Sequence, residues 1–327
     1  MSKITVHKYK PENREEWEEF LKHTNSGTMF HSLDFLDYHP AGKFDFYHLI
    51  FRNDGKEIVG ILPGGVKENG EVFWSPVGAS YGSIATKDIK FETALAIVDA
   101  MMQYFRENNF REIFLIPPPL IYSLNISQHI EYAMLYRKFD FELHYISHAI
   151  DLKHGDKILK TFDKTARKNI NKILREKKIT VRQSNDYDTF YKILLENKAK
   201  HNATPTHSLQ DIHRLLELMP DKLELLMCYA DDTPIAGSLL FLCNPKVVLC
   251  FYTMLLYEYE HLKPVYLVNY EIAKWALQHG YEWVDIGVSQ DTTAEDPMTP
   301  SINLINFKER FNARGILRST FHYKFRD

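Results

Sequence analysis

A lysine set between aromatic rings and a carboxylate set in an apolar run are the residues best suited by type to do chemistry. Lys308 stands in Asn306-Phe307-Lys308-Glu309-Arg310-Phe311. Rings on both sides lower the hydration of an ammonium and strengthen its field. Lys308 therefore reads in one of two ways. It is a contact for a developing oxyanion or a substrate phosphate, or it is a snorkelling lysine on a helix that pairs with Glu309. Asp285 lies in the largely apolar run 281–289. A carboxylate there costs free energy unless it is paired or functional. It either orients or deprotonates a reactant, or is held by an Arg or a backbone amide. A third group is basic: Arg167, flanked by Lys164 and Lys168, could clamp a phosphate or could lie on a solvated face. Tyr81, Tyr252 and Phe307 could wall a substrate cleft. In so aromatic a chain each could equally be core.

Other chemistries lack their residues. No Ser/His/Asp or Cys/His signature marks a covalent nucleophile. His201, His207 and His213 recur at a spacing that shares no helix face, and no H-E-x-x-H pattern completes a metal site. Gly64-Gly65 and the glycines of 78–82 lack a strand, Gly-loop, helix context, so they read as turns and bulges. The three cysteines form no C-x-x-C pair, which fits a reducing, cytoplasmic setting without zinc. A net charge of −3 over 327 residues argues against a generic nucleic-acid coat, while leaving room for a local basic groove. Residues 1–10 show no signal-peptide run, and no stretch approaches the ~18 apolar residues of a membrane span.

These residues need elements to position them. Residues 264–279 read as a helix, with Pro264 in its first turn, Gly280 past its end, and Val268, Ile272, Trp275 and Ala276 on one face. The run 281–289 reads as a buried strand, and 290–300 as a polar loop. A strand end that opens into a loop is where α/β proteins place ligands, so 263–311 reads as the active half of the chain. Two earlier strands, 223–230 and 235–242, flank the turn Asp231-Asp232-Thr233-Pro234. A third covers 246–257. The same order of hairpin, strand, helix and strand occurs in 44–66, 71–85, 91–108 and 111–116, at a nearly constant offset. That supports two copies of one α+β unit, divided as 1–150 and 151–327. Residues 163–182 hold eight Lys or Arg against Asp163 and Glu176. With Ala166, Ile170, Ile173 and Leu174 as an apolar side, this segment reads as a basic amphipathic helix.

The chain resembles the FemABX-type transferases and their shorter BioF2-like relatives with tandem GNAT-like acyltransferase domains. The matching segments are Phe30-His31-Ser32, Pro76-Val-Gly-Ala-Ser-Tyr81-Gly82, Arg167-Lys-Asn-Ile170, Pro234-Ile-Ala-Gly-Ser238, Gly280-Tyr281 through Asp285-Ile-Gly287, and Phe307-Lys308-Glu-Arg-Phe311. They span nearly the whole chain. The resemblance implies an α+β fold of two GNAT-like domains, each a mixed, mostly antiparallel sheet flanked by helices. It implies transfer of an acyl or aminoacyl group to an amine, from aminoacyl-tRNA or from an acyl thioester such as acyl-CoA.

On that basis the expected product is an amide on a cell-envelope precursor, as in peptidoglycan, or on a surface-glycan precursor. The acceptor would be small or nucleotide-linked. Lys308 and Asp285 would be catalytic, and Arg167, Lys164, Lys168, Tyr81, Tyr252 and Phe307 would bind substrate. Segment 163–182 would meet any tRNA. Two departures stand out: there is no long helical arm, and no Q/R-x-x-G-x-G/A pyrophosphate loop. The alternatives are a CoA-dependent N-acyltransferase on a small amine or amino sugar, and a non-catalytic binding protein on a degenerate transferase fold.

Overall fold

The computed structural model describes residues 3–200, 202–291 and 293–325. The chain divides into two compact units, Met1–Tyr145 with Leu317–Asp327, and Ile146–Ile316. The end of the chain thus groups with the first unit, whereas a simple cut after residue 150 would assign it to the second.

The first unit holds β1 (Thr5–Lys8), α1 (Arg14–Lys22), α2 (Leu33–Leu36), β2 (Leu49–Arg52), β3 (Ile58–Leu62), β4 (Gly65–Lys67), β5 (Val72–Ser75), α3 (Phe91–Glu107), β6 (Glu112–Leu115) and α4 (His129–Tyr136). Strands β1, β2 and β3 form one antiparallel sheet. In the other, β4 pairs antiparallel with β5, and β5 parallel with β6 across helix α3. Ala94, Ile97, Val98, Met101 and Phe105 recur at helical spacing on α3 and are fully buried, against Phe73 and Leu115. The expected strand over 71–85 is shorter than its composition suggests. After Ser75 the chain passes through Pro76 and then Gly78 at φ +69°, which no continuous strand accommodates.

The strand β7 (Asp140–Asp151) leads into the second unit. There follow α5 (Ile158–Thr161), α6 (Lys164–Glu176), β8 (Ile179–Gln183), α7 (Tyr187–Ala199), α8 (Leu209–Leu218), β9 (Leu223–Ala230), β10 (Thr233–Leu242), β11 (Val247–Leu255), α9 (Pro264–Gln278), β12 (Trp283–Val288), α10 (Ile302–Glu309) and β13 (Ala313–Lys324). The order β7-β12-β11-β10-β9-β8 is antiparallel throughout except for β11 and β12. Those two run parallel because α9 carries the chain between them, the same strand–helix–strand plan as β5, α3 and β6. Beyond Ile316, β13 returns to the first unit and pairs with β6 from Phe321 to Lys324.

The basic segment 163–182 is not one helix. Asp163 caps α6 by accepting from the Ala166 N–H, and the helix stops at Lys177, whose φ of +55° is left-handed. Arg182 therefore lies on strand β8, its guanidinium 4.0 Å over the Tyr229 ring.

The core of the second unit gathers Ile170, Ile173, Leu240, Val248, Ile272, Ala276, Val284 and Phe311. Phe311 is fully buried between Phe162, at 5.4 Å, and Phe307, at 5.2 Å. Its ring fastens the end of α10 to the start of α6. Phe311→Ala is expected to cost about 3–5 kcal/mol, read as a lowered denaturation midpoint at unchanged slope in urea.

Candidate active site

The pairing of β11 with β12 runs Val247 with Trp283, Val248 with Val284 and Leu249 with Asp285, and goes no further. Strand β11 continues to Leu255 while β12 turns away. Asp285 thus stands where two parallel strands part, the kind of position at which open α/β sheets take ligands. On its other edge β12 faces β7, with Asp285 opposite Ala149 and Val288 opposite Ser147. Three steps along β12 match two along β7, so one residue bulges out. Gly287, at φ +78°, makes the bulge. No heavy atom lies within 4 Å of where its Cβ would be, so backbone conformation rather than space calls for glycine here.

The bulge turns the carbonyls of Gly287 and Val288 toward Lys308. Its Nζ donates to both, at 2.7 Å each, and to Ser289 Oγ at 3.0 Å. Ser289 is itself fixed: its N–H donates to the Ile146 carbonyl, and its carbonyl accepts from the Ser301 N–H at the start of α10. Ser289 Oγ also lies 2.9 Å from His148 Nδ1. One Asp285 oxygen accepts from Ser147 Oγ at 2.9 Å and from the Gly287 N–H at 2.8 Å. Asp285, Ser147 and Ser289 are fully buried, and His148 and Lys308 nearly so.

Helix α10 is inverted relative to an ordinary surface helix. Its single buried residue is Lys308, while Ile302 is 59 % exposed and Leu304 37 %. Burial pushes the Lys308 ammonium down to about 8, against the opposing pull of Asp285 and Cys250. Burial, and then Lys308, also lower His148, with Glu309 and Asp285 opposing. Burial holds the Cys250 thiol up at about 12, so it stays neutral.

Of the residues singled out in the sequence, Lys308 and Asp285 belong to this one cluster. Lys308 is not the snorkelling surface lysine of the second reading. Phe307, on the same helix, is half-buried 5.4 Å from Tyr266. Arg167, Lys164 and Lys168 are exposed on α6, with the Arg167 Nη1 donating to the Lys160 carbonyl. That helix joins the motif at its base, where the Asp163 N–H donates to the Arg310 carbonyl at 2.8 Å. Tyr252 is on β11, and its hydroxyl oxygen accepts from the Thr206 and His207 N–H groups. Tyr81 belongs to the first unit, packed between Phe30 and Tyr122. His201 lies outside the described residues. Among those described, no group of three or more His, Cys, Asp or Glu could hold a metal. No helix among them is long and apolar enough to cross a membrane.

Sequence reasoning did not reach His148, Ser147, Ser289 or Gly287. The only signal for Gly287 was its place within the Asp-x-Gly segment. Nothing in the spacing marks His148, which meets its partner from 141 residues away.

The fold that carries this buried lysine and carboxylate is shared with known acyltransferase-type proteins. Residues 160–295 match the family model described as an acetyltransferase (GNAT) domain. Over 98 % of its length the chain superposes on 97 % of FemX, at a TM-score of 0.70 and 13 % identity. The C-terminal domain of a putative lysylphosphatidylglycerol synthetase from Agrobacterium fabrum gives 0.60 at 11 % identity, over 95 % of this chain and 91 % of that one. A tandem GNAT protein from the clavulanic acid biosynthesis pathway gives 0.53 at 10 % identity, with 98 % of each chain covered. No curated protein matches the chain by sequence. The fold is therefore that of the tandem GNAT-like proteins, and within them the FemABX-like arrangement.

The lowered lysine makes stability depend on pH with a definite sign. Unfolded, Lys308 titrates near 10.5; folded, near 8. Below pH ~8 both states hold the proton and the native chain bears the whole cost of burying the charge, about 3 kcal/mol. Between those two values the unfolded state binds more protons, so stability rises with pH. Measured against Lys308→Met, the native protein should gain up to about 3 kcal/mol between pH 7 and pH 10.5. Parallel denaturation curves would show no such gain if the ammonium were hydrated.

Proposed function

We propose that the chain is an acyl- or aminoacyltransferase that forms an amide on an amine of a cell-envelope or surface-glycan precursor. The reading is carried by Lys308, a cation seated behind the point where β11 and β12 separate. A donor carbonyl in that opening would feel a positive field in a poorly hydrated setting, where such a field acts most strongly. The donor is already activated, so the protein has to orient it, stabilise the developing oxyanion and manage the amine's proton. No covalent intermediate on a side chain is required.

The ammonium has three N–H bonds, and the Gly287 carbonyl, the Val288 carbonyl and Ser289 Oγ take all three. Lys308 acts on the oxyanion through its charge rather than by direct donation. Arg167, Lys164 and Lys168, exposed together on α6, supply the surface for a phosphate-bearing substrate, and that face is where a tRNA donor would lie.

The alternative, a CoA thioester held by its pyrophosphate, finds little support where β11 leads into α9. The connection is a short 3-10 helix of about two turns, Tyr257–Leu262, followed by Lys263 at φ +56°. It contains no glycine, and Glu258 and Glu260 are exposed on it. Carboxylates at that place repel a pyrophosphate from the helix N-terminus, where N–H groups would otherwise favour it. An aminoacyl ester, whose anchoring phosphates lie elsewhere, meets no such repulsion.

Purified protein supplied with aminoacyl-tRNA or with acyl-CoA, and with amine-bearing nucleotide-linked precursors, should yield an amide detectable by mass. Lys308→Met is expected to lower kcat by about 10²–10³ with little change in the acceptor KM. Arg167→Ala should raise the KM of the phosphate-bearing substrate. Full turnover in Lys308→Met would refute the assignment.

A further inference from the structure

Ser289 stands between two nitrogens that can each carry or lack a proton. With Lys308 charged, the direction of every hydrogen bond in the cluster is set. The ammonium has no lone pair, so Ser289 Oγ accepts from it. The Ser289 proton is then directed to His148 Nδ1, and the neutral imidazole keeps its own proton on Nε2. With Lys308 neutral, the same three partners are satisfied in reverse. Two N–H bonds remain on the carbonyls, and the amine lone pair accepts the Ser289 proton. Ser289 Oγ then accepts from His148 Nδ1–H, and Nε2 has a free lone pair. Both states satisfy Lys308 Nζ, Ser289 Oγ and His148 Nδ1, and they differ in the positions of the shared protons.

In neither state can Lys308 touch an incoming amine: charged, it has no N–H to spare, and neutral, its lone pair is held by Ser289. His148 Nε2 has no hydrogen-bond partner among the described residues. The nearest atoms to where a Cβ on the exposed Gly315 would stand are two Ile146 side-chain carbons, at 2.8 and 3.3 Å, and then His148 Nε2 at 3.9 Å, so the Ile146 side chain and the Gly315 backbone border it on that side.

We propose that Ser289 relays a proton between His148 and Lys308, which makes His148 Nε2 the base that deprotonates the acceptor ammonium. This rests on the transferase reading given above. In the step, an N–H bond of the acceptor ammonium breaks and its proton bonds to His148 Nε2. The Nδ1 proton passes to Ser289 Oγ, and the Ser289 proton passes to Lys308 Nζ. The freed electron pair on the acceptor nitrogen attacks the donor carbonyl. The leaving oxygen or sulfur departs with its bonding pair and takes the second amine proton. Lys308 becomes an ammonium as negative charge builds on the carbonyl oxygen. Its proton afterwards returns to water by the reverse path.

The charges around the relay suit this use. Asp285 and the neutral Cys250 thiol face Lys308; Lys308, Glu309 and Asp285 face His148. With Lys308 held near 8, the amine form is accessible close to neutral pH.

The test uses the intact chain without substrate. Nitrogen-15 NMR of histidine side chains reports which ring nitrogen is protonated, and loss of the signal in His148→Gln assigns it. His148 should carry its proton on Nε2 below pH ~8 and on Nδ1 above it, following the titration of Lys308. Lys308→Met and Ser289→Ala should each abolish that switch. A native His148 whose tautomer stays constant while Lys308 titrates overturns the relay, and so does a Ser289→Ala protein that switches like the native one. In the transfer assay, Ser289→Ala should lower kcat by roughly 10²-fold with the acceptor KM unchanged. Because the NMR readout needs no substrate, a missing switch removes the relay and leaves the transferase reading intact. An intact switch without any amide-forming activity overturns the transferase reading, and with it the catalytic role of His148.

Discussion

The second unit is organised around one ammonium held by three acceptors. Two of them are carbonyls that an ordinary strand would spend on its neighbours. The extra residue in β12 frees them, and Gly287 allows the chain to turn there. A buried lysine without such acceptors would lose its proton or be driven to the surface. With them it stays inside, but at a lowered affinity for its proton. That compromise gives a group able to be base and cation in the same pH range. Helix α10 is shaped by the same demand: it faces its lysine inward and leaves Ile302 and Leu304 in solvent.

Around the lysine, the fold separates rigid support from variable contact. Helix α9 fills the sheet with Val268, Ile272 and Ala276 and fixes β12 parallel to β11. The aromatic cluster of Phe162, Phe307 and Phe311 fixes α10 to α6. The exposed basic face of α6 is thereby tied to the element that carries the buried lysine. Desolvated charge sits on one helix, and hydrated charge sits on the other. The first is shielded from salt by its burial; the second is screened by it.

How much of this could be read from the sequence depended on whether a signal was local. Asp285 is conspicuous because a carboxylate in an apolar run is rare and costly. Lys308 is conspicuous because rings flank it. Helix α9 announces itself through Pro264, Gly280 and its periodic face. The end of α6 was hidden: Lys177 is not a residue expected in the left-handed region, and the basic run continues through it to Arg182 on β8. The return of β13 to the first unit was hidden too, because its partner β6 lies some two hundred residues earlier. His148 and Ser289 were beyond reach for the same reason. A histidine in one strand and a serine at the end of another carry no mutual spacing, and the register of β7 on β12 alone brings them together.

That register also explains why a bulge, rather than an additional polar residue, defines the site. Without the extra residue, the pairing of Asp285 with Ala149 would carry on and place Gly287 opposite Ser147. Each later side chain of β12 would then emerge on the opposite face of the sheet. Ser289 would point away from His148, and Lys308 would meet a flat ladder whose carbonyls were already engaged. Asp285 works against this outcome, because one of its oxygens accepts from both the Ser147 hydroxyl and the Gly287 N–H. It bonds the two strands across the place where their register slips. The carboxylate that stands out in the sequence as a candidate for chemistry thus also holds the backbone geometry on which the lysine, the serine and the histidine depend.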